Sequence, residues 1–153
     1  MKRFAILAAL GIAAIGSLAA SAQTPAKPLH VVLVGDSTVS NYPPQHPNRG
    51  WGMYLTGQFK PGTVAVSNLA APGRSTKTFI QEGRWTKALA EKPDYIFIQF
   101  GHNDSHDPKN PEATDPATDY QQNLRRFIDE TLAIKVERKI KRSWSVMQSS
   151  RRS

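Results

Sequence analysis

Cysteine is absent from the 153-residue chain. That excludes a disulfide scaffold, a thiolate zinc site, an iron–sulfur cluster and a cysteine nucleophile. It also excludes a lipoprotein anchor, which needs a cysteine to carry the lipid. Acidic residues are few, twelve against twenty Lys and Arg, and the formal charge is +8. The excess lies at the ends. Lys2 and Arg3 supply two positive charges and residues 135–153 a net six, leaving residues 4–134 with eleven charges of each sign. A neutral body presents no phosphate-binding face, so nucleic acid is not an expected partner. Internal repeats and low-complexity tracts are missing as well. With 39% hydrophobic and 21% charged residues, the composition is that of one globular domain.

The first 22 residues have the three parts of a secretory signal. Met1-Lys2-Arg3 is a basic start, Phe4 to Gly16 is apolar and uncharged, and Ala20-Ser21-Ala22 is a small-residue cleavage site. A membrane anchor is the rival reading, because the uncharged stretch 4–22 approaches the roughly 20 residues of a spanning helix. Its second half, however, is Gly, Ser and Ala, which partition weakly into lipid. The expectation is cleavage after Ala22, export to the periplasm or the extracellular space, and no stable membrane association afterwards. Residues 23–28 form a short extended linker.

From residue 29 the pattern alternates. Leu29-His30-Val31-Val32-Leu33-Val34 is a β-branched run ended by Gly35 and predicts a buried parallel strand. Further strands are expected over 63–69 and 95–100. Helices are expected over 51–59, 76–90 and 118–134, with turn-rich loops at 41–50 and 102–116. Strands alternating with helices imply a parallel sheet covered on both faces.

In such a sheet, ligands bind beyond the carboxyl ends of the strands. Each of the three exits carries a small, polar motif. Gly35-Asp36-Ser37 would present a serine at a helix N-terminus, where backbone N–H groups favour developing negative charge; Asp36 or Ser37 could equally be a plain helix cap. Gly73-Arg74-Ser75 places a glycine where the backbone must approach a ligand, or is an ordinary loop. Gly101-His102-Asn103-Asp104 offers an amide donor, or is a turn. Asn103-Asp104-Ser105 also fits a glycosylation acceptor, disfavoured by its position at a strand exit. Trp51, Tyr54 and Trp85 could stack on sugars, although such aromatics more often fill a core.

In this order, each after a strand, the three motifs are far more specific than any one of them. The sequence resembles the SGNH hydrolases, or GDSL esterases, over roughly residues 30–134. Gly73 to Phe79 with Glu82-Gly83-Arg84-Trp85, and Phe100 to Asp104, resemble the rhamnogalacturonan acetylesterase branch in particular. The resemblance implies an α/β fold, a three-layer α/β/α arrangement around a parallel, flavodoxin-like sheet. It implies that Ser37 attacks an acyl carbonyl, and that the N–H groups of Ser37 and Gly73 and the side chain of Asn103 hold the oxyanion. It implies no cofactor and no metal. The substrate it implies is an acetylated plant cell-wall polysaccharide, with pectin of the rhamnogalacturonan type first.

The serine also needs a base, which the family draws from a later Asp-x-x-His. The chain has four histidines, His30, His46, His102 and His106, and the residues three before them are Lys27, Pro43, Gln99 and Asn103. The expected organisation is therefore a signal at 1–22, a linker at 23–28, a hydrolase domain over 29–134 whose C-terminal part is missing, and an atypical basic tail over 135–153. Two explanations of the tail stand: a shifted reading frame, or a basic amphipathic helix with Val136, Ile140, Trp144 and Met147 on one face. The chain as written is then expected to be nearly inactive. The alternative is a non-catalytic protein that binds a glycan or a partner. A flavodoxin-like nucleotide binder is weaker, because the first strand–helix turn lacks a glycine-rich phosphate loop.

Overall fold

The computed structural model describes residues 27–149. The expected signal and most of the linker lie outside them. Three strands, β1 (Leu29–Gly35), β2 (Val64–Asn68) and β3 (Tyr95–Gln99), form a parallel sheet in the order β2-β1-β3. Val31 pairs with Val66 on one side and Tyr95 on the other, so β1 is the central strand. Its continuous apolar sequence follows from that place: Val31, Val32, Leu33 and Val34 are all buried, two on each face of the sheet. Leu69 N–H and Ala71 N–H donate to the carbonyls of Leu33 and Gly35, each at 2.9 Å, which extends the β1–β2 pairing to the sheet's carboxyl end.

One face is covered by helices α1 (Thr76–Gln81), α2 (Arg84–Ala90) and α3 (Asp119–Ser149). Val32 and Val34 meet Phe79, Trp85, Ala88 and Phe127 there, and the Trp85 and Phe127 rings lie 4.4 Å apart. Trp85 is therefore core, and its indole N–H donates to Glu130 at 2.7 Å. The other face holds Val31, Leu33 and Val39 with half-buried Leu55, Val64 and Val66, and is covered by the segment between β1 and β2. That cover does not reach β3, where Tyr95 and Phe97 stay 52% and 48% exposed. The described residues thus supply an apolar strip of the kind a three-stranded sheet is expected to leave open.

Three helix expectations are revised. Residues 51–59 form two single 3-10 turns, Trp51–Met53 and Thr56–Gln58; Gly52 and Gly57 weaken a continuous helix there. The expected helix over 76–90 breaks at Gly83, whose φ of 70° ends α1 and starts α2. The helix expected to stop at 134 continues to Ser149, since no glycine or proline interrupts residues 119–149. Its start is fixed by Asp115, whose carboxylate accepts the N–H groups of Ala117 and Thr118 at 2.8 and 2.9 Å. None of the helices among the described residues is long and apolar enough to cross a membrane.

Candidate active site

Ser37, Gly73 and Asn103 follow β1, β2 and β3 respectively and gather at the carboxyl end of the sheet. Ser37 does not start a helix, as expected from sequence, but sits in a tight turn. The buried carboxylate of Asp36 accepts the N–H and the hydroxyl of Thr38, both at 2.8 Å, while the Asp36 carbonyl accepts from Val39 N–H and Ser40 N–H. A short acidic side chain that bonds the backbone two residues on competes with helix formation. The consequence is that Ser37 is held by a turn, without a helix dipole behind it.

That turn is tied to both neighbouring segments. Gln99 Nε2 donates to the Thr38 hydroxyl at 2.6 Å, and the Trp51 indole donates to Gln99 Oε1 at 2.7 Å. Trp51 N–H also donates to the Thr38 carbonyl at 2.9 Å. Trp51 is thus a brace between β3 and the Ser37 turn. Tyr42 closes the other side, its hydroxyl donating to the Ser37 carbonyl at 3.0 Å. Sequence patterning gave no signal for Gln99, because a polar residue at a strand end reads simply as the strand's terminus.

Gly73 has φ of 74°, and a Cβ there would meet nothing within 4 Å. Glycine is needed for its backbone conformation and not for space. Asn103 is buried, and its Nδ2 donates to the Arg74 carbonyl at 2.9 Å, bringing the second and third motifs together. Burial also removes it as a glycan acceptor. Asp104 has a structural task. Its carboxylate receives Thr76 N–H at 3.0 Å and the hydroxyls of Thr76 and Thr114 at 2.5 and 3.1 Å, anchoring α1 beneath the loop. Arg74 pairs with Glu82 at 3.1 Å, and Arg84 pairs with the same carboxylate at 2.5 Å. The hydrogen bonds from Arg84 and then Arg74 hold Glu82 below the ordinary carboxylate value.

Each histidine makes its contacts with groups other than the Ser37 hydroxyl. His30 contacts Ser67 and Glu91 at 2.9 and 3.2 Å. His46 stacks on Tyr42 and accepts Asn48 N–H at 3.1 Å. His106 Nδ1 lies 2.7 Å from Glu112, and its ring meets His102 edge-on. The hydrogen bond to His106 is the main cause of a lowered Glu112 pKa. Among the described residues, no side chain hydrogen-bonds the Ser37 hydroxyl, and no group of three or more His, Cys, Asp or Glu has metal-binding geometry. Ser37 faces a pocket of about 420 Å³ shared with Thr38, Tyr42, Pro47, Asn48 and Arg49.

A serine on a turn after the central strand, with the next two strand exits converging beside it, is the arrangement of a hydrolase of the flavodoxin-like α/β type. The sequence matches the GDSL-like lipase/acylhydrolase family over residues 33–145, and the chain belongs to that family. Its curated relatives put it in the rhamnogalacturonan acetylesterase-like branch of the SGNH hydrolases. Rhamnogalacturonan acetylesterase RhgT of Bacillus subtilis is 46% identical over 107 residues, covering 67% of this chain and 44% of RhgT. The probable rhamnogalacturonan acetylesterase YesY of the same organism is 43% identical over 101 residues, covering 65% of this chain and 46% of YesY. The chain therefore spans under half the length of these relatives. Among solved structures, protein YxiM of Bacillus subtilis matches with TM-score 0.59 at 28% identity, over 69% of this chain and 30% of YxiM. A catalytic mutant of the acetylxylan esterase Axe2 of Geobacillus stearothermophilus matches with TM-score 0.57 at 21% identity, over 69% of this chain and 55% of Axe2, a likeness of fold alone.

Proposed function

We propose that this chain carries the nucleophile and oxyanion site of an exported serine esterase that removes acetyl groups from pectin-type polysaccharide. Ser37 Oγ attacks the acetyl carbonyl carbon and gives its proton to a base. The tetrahedral oxyanion is held by the N–H groups of Ser37 and Gly73 and by the Asn103 amide. Collapse breaks the bond to the sugar oxygen, which takes the proton back from the base and leaves as a hydroxyl, and acetyl remains on Ser37 for water to remove. The observation that supports this most is the meeting of Asn103 with Arg74 beside Gly73, next to the strand that delivers Ser37. The hydrogen bond to Arg74 fixes the carboxamide before substrate arrives, which is what an oxyanion donor requires.

The base is the missing part. None of the four histidines hydrogen-bonds the Ser37 hydroxyl, so on this reading the chain as written is expected to turn over poorly. Export suits a substrate that is a polymer outside the cell. The test is acetate release from acetylated rhamnogalacturonan, by the chain alone and by a chimera joining residues 29–134 to the part of RhgT beyond its match. The chimera should be active and the chain alone at least about 10³-fold slower. Equal, ordinary turnover by the chain alone would make one of its own histidines the base. A folded chimera without turnover would favour a non-catalytic glycan-binding role.

A further inference from the structure

Gln99 closes β3 on the face that also carries Tyr95 and Phe97, and it is exposed as they are. Neither apolar cluster of the sheet includes it. Water is available to an exposed amide, so protein hydrogen bonds to it add little to stability. Yet both ends of this amide are held, and its partners fix its direction. The Trp51 indole N–H is a donor only, so it takes Gln99 Oε1, at 2.7 Å, and leaves Nε2 for the Thr38 hydroxyl, at 2.6 Å. That hydroxyl, having accepted from Gln99, gives its own hydrogen to the buried Asp36 carboxylate at 2.8 Å. The bonds therefore run one way, from Trp51 through Gln99 and Thr38 to Asp36. Each link polarises the next. Ser37 lies in sequence between the last two members, so a movement of Thr38 against Asp36 moves Ser37.

The backbone pairing of β1 with β3 ends at Gly35 and Gln99. Past that point the Gln99 side chain continues the connection, from β3 to the Ser37 turn. The same strand leads on to Asn103, four residues beyond Gln99, which bonds the Arg74 carbonyl after β2. β3 is thus the common member: one bond ties it to the serine's turn and another ties its exit to that of β2. We infer that Gln99 is a positioning residue for the esterase reaction, whose bond to Thr38 sets where Ser37 Oγ stands relative to the Asn103 amide. The inference rests on the esterase reading and extends it to a residue that acts through Thr38. A nucleophile displaced by about 1 Å loses about 10²-fold in rate while substrate still binds.

The experiment separates position from folding. Gln99→Met keeps the length of the side chain and removes both bonds; Thr38→Val keeps the shape and removes the hydroxyl. In the full chain, the urea midpoint of Gln99→Met should match that of the parent, because the lost bonds are exposed. Also in the full chain, the Trp51 indole signal in a proton–nitrogen correlation spectrum, identified by its loss in Trp51→Phe, should shift in Thr38→Val, because Gln99 is released. In the RhgT chimera, Gln99→Met should lower kcat on acetylated rhamnogalacturonan about 10- to 10²-fold with KM little changed. Gln99→Met combined with Thr38→Val should lose little more than the worse single variant, since both break one bond. Thr38→Ser should recover part of what Thr38→Val loses. Parental kcat in Gln99→Met, additive losses in the pair, an unmoved indole signal, or a fall in kcat matched by a lowered urea midpoint would each overturn the inference and leave the esterase reading intact. A folded parent chimera without turnover would overturn both.

Discussion

The Asn103 side chain donates to the carbonyl of Arg74 at 2.9 Å, across 29 residues of sequence. This one bond joins the exits of β2 and β3 and sets the carboxamide beside Gly73. It makes the second and third strand-end motifs one unit, although each taken alone is an ordinary turn.

Asn103→Ala should therefore lower turnover of the RhgT chimera by about 10²–10³, with a smaller effect on KM. Ser105→Ala, whose hydroxyl only donates to the His102 carbonyl, should be close to the parent. Initial-rate kinetics on acetylated rhamnogalacturonan distinguish the two. Equal losses would remove Asn103 from the oxyanion site.

Stability should depend on the helical face of the sheet. Phe127 is fully buried against Trp85 and Phe100, whereas the adjacent Ile128 is 55% exposed. Phe127→Ala is expected to cost roughly 3–5 kcal/mol, and Ile128→Ala less than about 0.5 kcal/mol. Urea unfolding followed by circular dichroism measures both.

Acid should release the clamp behind Gly73. Glu82 has its pKa lowered from 4.5 by Arg84 and Arg74, so its ionised form is favoured in the folded chain. That contribution is present above 4.5 and is lost as pH falls through the lowered folded-state value. Glu82→Gln should be less stable than the parent at pH 7, and the gap should close as the medium is acidified below the ordinary carboxylate range. The groups are exposed, so the gap is small. Unfolding midpoints across that pH range test the sign.

Export should leave a new N-terminus. The basic start, apolar run and Ala20-Ser21-Ala22 place cleavage before Gln23. Mass spectrometry of protein recovered outside the cytoplasm should find Gln23 first. Intact Met1 protein in the membrane would contradict it.

The strands were legible because β1 is buried on both faces and must be continuously apolar, and because β3 is a β-branched and aromatic run opened by Pro93-Asp94 and stopped by Gly101. The break at Gly83 was not, since apolar spacing runs on through it and only the backbone's positive φ marks the stop. The extent of α3 was missed for a related reason. The charge pattern changes near Lys135, but a backbone without glycine or proline has no cause to leave the helix there. At the site, Ser37, Gly73 and Asn103 were readable from their places after strands. The helix behind Ser37 was an error of the same reading, because the Asp36 side chain takes the bonds that would have started it. Gln99 acts through bonds to Thr38 and Trp51, in segments distant along the chain, and spacing carries no trace of those.

Covalent trapping tests the central assignment most directly. The chimera is treated with an organophosphorus ester that phosphorylates activated serines, then digested, and the modified peptide is sequenced by mass spectrometry. One adduct on Ser37 is expected, appearing as acetate release is lost and absent from Ser37→Ala. An adduct on another serine that accounts for the loss, or undiminished acetate release by Ser37→Ala, would contradict it.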